Sequence, residues 1–138
     1  MTINEFAKVK ELYGKESVSP CVIKINSRMI LDNDLDIDFM FSEESDRKYA
    51  KKLIESGKGN FYGVRADAEI IFPFADHIQF AGKISSGGLW GLCFTYGNKE
   101  DKENMKEEMW NQVMELKEML SKLNVKFDNA EIVEMDNE

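Results

Sequence analysis

The sequence predicts an α+β fold, a mainly antiparallel sheet of four to five strands covered by a long C-terminal helix and one or two shorter helices. Three observations carry this reading. Residues 60–72 alternate apolar and polar side chains with period two, as a strand with one buried face does. Residues 100–123 place Met105, Met109, Trp110, Val113, Leu116, Leu120 and Leu123 at three- and four-residue spacings and leave Lys and Glu outside, as an amphipathic helix does. The links around residues 73–89 are too short for parallel crossovers, which predicts an antiparallel meander.

The other elements follow in chain order. Thr2 and Glu5 have the spacing of a capping box, and Phe6, Val9 and Leu12 share a narrow face before Gly14, so a helix is expected within 1–18. Ser19-Pro20 breaks the chain. The β-branched run 21–31 reads as a strand. Asp32, Asp34, Asp36 and Asp38 then alternate with Asn33, Leu35, Ile37 and Phe39, which in an extended chain puts four carboxylates on one side. Ser42 with Glu43 and Glu44 starts a helix that turns Tyr49, Leu53 and Ile54 inward and ends at Gly57, with Lys48, Lys51, Lys52 and Lys58 outside.

Pro73 closes the strand over 60–72. A second strand is expected over 78–84 and a third over 89–96, with Ser85-Ser86-Gly87-Gly88 as the turn between them. Gly91 inside the third strand marks a bulge or a close approach of another chain segment. Beyond the long helix, Asn124 is a stop, Val125 and Phe127 begin a short strand or dock as a plug, and the acidic tail 128–138 is expected to fray.

The chain has 138 residues, 43 % of them apolar, which suits one domain with a real core. The net charge of −8 argues against a general basic field for nucleic acid and suits solubility, a cationic ligand or a protein partner with a basic surface. No apolar run approaches the ~20 residues of a membrane span, and MTINEFAKVKEL has no secretory pattern, so the expected location is cytoplasmic. Cys21 and Cys93 are far apart without a CxxC, and both read as apolar strand thiols. An exposed sheet edge or methionine patch would serve a homo-oligomer.

No residue set reads as catalytic. His77 is the only imidazole base a Ser or Cys triad could use, it lies in a turn without a neighbour of its type, and Cys21 and Cys93 sit within apolar strand patterns that argue against activated thiols. Asp32, Asp34, Asp36, Asp38 and Glu43 fall at the first, third, fifth, seventh and twelfth places of an EF-hand loop, but Ile37 stands where that loop needs glycine. A strand with an acidic face is the simpler reading, and no metal or cofactor is assigned. SSGGLWG lacks the Lys-Ser/Thr of a phosphate loop. Trp90 and Trp110 read as packing on each other or pinning the helix to the sheet. Met105, Met109, Met114 and Met119 read as core, with Met114 and Met119 partly off the main stripe.

YGVRADAEIIFP, QFAGKISSGGLWGL and the helix QVMELKEMLSKLNV resemble a family of small proteins of unknown activity found among phage, plasmid and other mobile-element genes. The family pattern has a strand like VRAEAEI, a segment like ISSGGLWGIESDS and a closing helix like EELAELKEQLKALGI. The resemblance spans roughly 32–38 and 60–125. Where the family reads Glu-Ser-Asp-Ser, this chain has Cys93-Phe94-Thr95-Tyr96, so any role of those acids does not carry over. The resemblance implies a mobile-element accessory protein and no activity.

The expected function is therefore non-enzymatic: an acidic protein that binds and modulates or inhibits a host or defence protein, with Asp32, Asp34, Asp36 and Asp38 as the contact surface. The alternative is a binder of a small anionic ligand, with a pocket near Arg65, Ser85, Ser86, Gly87 and Trp90, where turn amides receive the anion. A weaker third reading is acid-based catalysis with a bound divalent ion.

Overall fold

The computed structural model describes Asn4, Ala7, Lys8 and residues 19–135. The helix expected within 1–18 and the end of the acidic tail thus fall almost wholly outside the described residues.

Strand β2 (Gly59–Pro73) is the spine. Its alternation turns Tyr62, Val64, Ala66 and Ala68 to one face, all buried. Strand β1 (Lys24–Leu31) runs antiparallel along one edge, with Ile25 opposite Ala68 and Met29 opposite Val64. Strands β3 (Ile78–Ser85) and β4 (Leu89–Thr95) both lie on the other edge. β3 pairs with Asp67–Pro73 and β4 with Gly59–Val64, both antiparallel. β4 therefore does not pair with β3, and the expected meander is corrected to one long, interrupted partner of β2. The reason is local. Ser86 donates its amide to the Ala66 carbonyl at 2.8 Å, and its Oγ accepts the Ala66 amide at 2.9 Å, so the ladder continues across the break instead of reversing.

Gly91 does mark a bulge. Tyr62 faces Leu92 and Val64 faces Leu89, so β4 fits more residues than β2 between those pairs, and Gly91 takes φ +75° there. On the far side of β1, strand β5 (Glu131–Met135) runs parallel, with Ile25 opposite Ile132. This corrects the expectation of a fraying tail up to Met135. Ile132 packs on the main core, and β1 offers its free edge.

Helix α1 (Ile37–Met40) and helix α2 (Glu44–Glu55) follow β1, and helix α3 (Lys99–Lys122) follows β4. The Asn98 side chain caps α3 by accepting the Asp101 amide at 3.0 Å. α3 lays Val113, Leu116 and Leu120 on Val22, Ile25, Ala66 and Ala68, with Val125 closing the cluster. Met105 and Met109 meet Met29, Tyr62 and Val64 in a second cluster. α2 covers the other face at the start of β2: Leu53 sits where a Cβ on Gly59 would go, and the Phe41 and Phe61 rings lie 6.0 Å apart. Only Ala50 and Leu53 of α2 are buried, so Tyr49, expected inward, is 62 % exposed. A helix resting on one strand buries a stripe, and Tyr49 falls beside it.

Leu116 is fully buried and Trp110 half exposed. Leu116→Ala is expected to cost about 3 kcal/mol in urea unfolding, and Trp110→Ala less than about 1 kcal/mol.

Candidate functional site

The acidic segment is not a strand. Residues 33 and 34 form a turn, and Asp36 becomes the N-cap of α1, its Oδ1 accepting the amides of Asp38 at 3.1 Å and Phe39 at 3.2 Å. Asp32 Oδ2 accepts the Gly91 amide at 3.1 Å. Asp38 takes Lys51 Nζ at 2.9 Å, and that hydrogen bond, with the lysine charge, holds its carboxyl below the usual range. Asp32, Asp36 and Asp38 thus hold three different partners, which corrects the single acidic face. Among the described residues no group of three or more His, Cys, Asp or Glu is placed to hold a metal ion.

Beside them the chain exposes apolar surface. Phe39, on the single turn of α1, is 90 % exposed. Met40 next to it reaches Gly91, as does Leu35, and Trp90 adjoins them at 46 % exposed. The Trp90 ring covers Gly63 and leaves no room for a Cβ there. α1, the β4 bulge and Trp90 form one promontory on the face of the sheet away from α3.

Ser86, Gly87 and Gly88 turn the other way, toward α3, whereas Ser85, opposite Asp67, stays on the Arg65 face. Ser86, 4 % exposed, donates its Oγ to Gln112 Oε1 at 2.7 Å, and the same oxygen accepts the Gly88 amide at 2.9 Å. The Gly87 amide goes to Glu115 Oε2 at 3.0 Å. The segment's anion-receiving amides are therefore met by side chains of α3. Arg65 and Trp90 lie on the opposite face, so Arg65, Ser85, Ser86, Gly87 and Trp90 are not brought together.

Arg65 belongs to a different constellation. Asp67 is fully buried, with Arg28 Nε at 3.0 Å, Arg65 Nη2 at 3.4 Å and Lys83 Nζ at 3.7 Å from its Oδ2. A shallow hollow of about 250 Å³ beside it is lined by Lys24, Asn26, Arg28, Glu69 and Lys83. Its cations Lys24, Arg28 and Lys83 face the acids Asp67 and Glu69, and Arg28 and Lys83 both reach Asp67.

The remaining candidates are solitary. His77 stacks on Phe74 at 4.9 Å between ring centres and bonds Asp76 at 2.7 Å. Cys21 is buried, but Cys93 is exposed, which corrects its reading as a core thiol. Neighbouring atoms still desolvate that thiol and push its pKa up, and the Asp101 carboxylate adds to the shift. The tryptophans do not meet, and neither pins α3: Trp90 lies on Gly63 across the sheet, and Trp110 is exposed with Lys117 Nζ 5.6 Å from its ring centre. Met105 and Met109 are core, Met119 is half-buried and Met114 is 48 % exposed.

One feature was not foreseen. The Tyr62 and Tyr96 hydroxyls lie 2.7 Å apart at the edge of a cleft between α3 and the sheet. Burial raises the Tyr62 phenol from 10.0 to about 12, and the bonded Tyr96 hydroxyl adds to the shift. Tyr62 sat in the alternation as a core aromatic, and only Tyr96 across the sheet shows that its hydroxyl is used.

Comparison of the chain with protein-family models, curated proteins and solved structures finds no match.

Two outcomes follow from this geometry. Gln112→Ala strands a buried hydroxyl and an amide, and is expected to lower stability by about 1–3 kcal/mol in urea unfolding. Tyr62 keeps its proton in the folded state above the pH at which the unfolded chain loses it. Stability should therefore fall as pH rises from 10.0 toward about 12, and Tyr62→Phe should flatten that fall in unfolding curves taken across the range.

Proposed function

We propose that this protein is a non-enzymatic binding protein that docks its acidic promontory on a basic surface of a protein partner and so modulates or inhibits it. One observation carries the reading: Phe39 stands 90 % exposed on α1, among Asp34, Asp36 and Asp38. A large aromatic side chain held on a short helix is the kind of anchor that fills a partner's pocket, and the surrounding carboxylates supply the polar rim. Met40 and Trp90 extend the apolar part. Asp38 is engaged with Lys51, Asp32 with the Gly91 amide and Asp36 with the first amides of α1, so Asp34 is the carboxylate left to meet the partner. The net charge of −8 favours a basic partner, and the resemblance of the SSGGLWG region to mobile-element proteins suggests a host or defence protein.

The alternative, a small anion at the Ser85–Gly88 amides, has less support, because Gln112 and Glu115 already take those amides.

The test is affinity capture from host lysate, with the captured protein then purified and titrated. Phe39→Ala should weaken binding at least about 10-fold, which is about 1.4 kcal/mol. Asp34→Asn should lower the association rate and its salt dependence with little effect on dissociation. Binding of both variants at wild-type strength would overturn the reading.

A further inference from the structure

Among the described residues, nothing closes over the second core cluster. Between the N-terminal half of α3 and the sheet, a cleft of about 470 Å³ opens above it. Its walls are Met29, Tyr62, Phe94, Met105 and Met109, with Tyr96 at the mouth, 46 % exposed.

Polar groups converge on the opening. Lys99, Lys102 and Lys106 line its α3 side, spaced three and four residues apart and hence on one stripe of the helix. None of the three has an ion-pair partner among the described residues. Three lysines without an ion-pair partner thus line one side of an apolar cleft in a chain where acids outnumber Lys and Arg by 26 to 18. The tyrosine pair has two O–H groups and uses one in its mutual bond, which leaves the other to donate.

We propose that this cleft binds an amphipathic organic anion, whose apolar body lies on the methionines and Phe94 and whose carboxylate sits among Lys99, Lys102, Lys106 and the free tyrosine hydroxyl. The volume lies in the range of small-molecule sites. Thioether side chains adapt to an irregular apolar body at low cost. The lysine stems extend the apolar wall while their ammonium groups stay in water to meet the head group. Tyr62 remains a donor through the neutral range, because its phenol holds its proton. This site is on the α3 face and is separate from the α1 promontory.

The test uses protein labelled with ¹³C at the methionine methyls, titrated with decanoate and, separately, with decanol. Decanoate should shift the Met29, Met105 and Met109 signals saturably and leave Met40 and Met114 in place. Decanol should bind at least about 10-fold more weakly, a difference of about 1.4 kcal/mol. The triple variant Lys99→Gln, Lys102→Gln, Lys106→Gln, at exposed positions, should lose that advantage for decanoate and keep its affinity for decanol. Phe39→Ala should bind decanoate as the wild type does, which separates this site from the promontory. The proposal is overturned if the three core methionines do not shift at millimolar decanoate, if decanol binds equally well, or if Met40 and Met114 shift together with them.

Discussion

Gln112 Oε1 accepts two hydrogen bonds, from Ser86 Oγ at 2.7 Å and from the Gly88 amide at 2.9 Å, and the arrangement of the sheet follows from them. Ser86 and Gly88 lie where the partner of β2 breaks. A break of this kind exposes backbone groups, and buried backbone groups without partners cost free energy. Gln112 and the Ser86 hydroxyl supply the partners. β3 and β4 can then run along one edge of β2 without pairing each other. The same contact fixes the rotation of α3 at Gln112, and that rotation places Met109, three residues before it, and Val113, one residue after it, on the sheet. A glycine-rich motif that resembles a ligand loop in sequence thus spends its polar groups on the helix above it.

The two faces of the sheet are built on different principles. The α3 face is apolar and nearly sealed, except at the cleft beside Tyr62. The other face is charged. Arg28 and Arg65 stand directly opposite each other on β1 and β2, an arrangement that repels unless something intervenes. Asp67, one step along on the same face, intervenes, and Lys83 of β3 joins it. Burying that carboxylate is tolerable only because its cations come with it. The cluster ties three strands together through one side chain. The promontory at α1 sits at the end of this face, where α2 stops covering it.

Much of this was legible from residue pattern. β2 and α3 were clear because their periods are long and unbroken, and Gly91 was read correctly because a glycine inside a strand rarely serves any other purpose. The errors have specific physical sources. Asp-x-Asp-x-Asp has the period of a strand, but Asp36 also has the chemistry of an N-cap, and capping won because it satisfies two amides at once. Ser-Ser-Gly-Gly reads as a reversal, and only the distant Gln112 shows that it is a step in a straight path. β5 was hidden by its acids, since its burial comes from the edge of β1 rather than from its own composition. Tyr49 was misplaced because helical period gives the stripe and not its width. Of the candidate site, the acidic residues were visible, but the exposure of Phe39 beside them depends on α1 existing. The cleft at Tyr62 is formed by residues from four separate elements, and no local pattern announces it.

The role of Gln112 is best tested by amide hydrogen exchange, read residue by residue at Ala66, Ser86 and Gly88. If Gln112 seals the break, these amides exchange only when the whole domain unfolds, as slowly as those of Val64 and Leu116. Exchange as fast as in the exposed turn before β3 would contradict this, and would mean that the segment is an open loop under a helix held by apolar contacts alone.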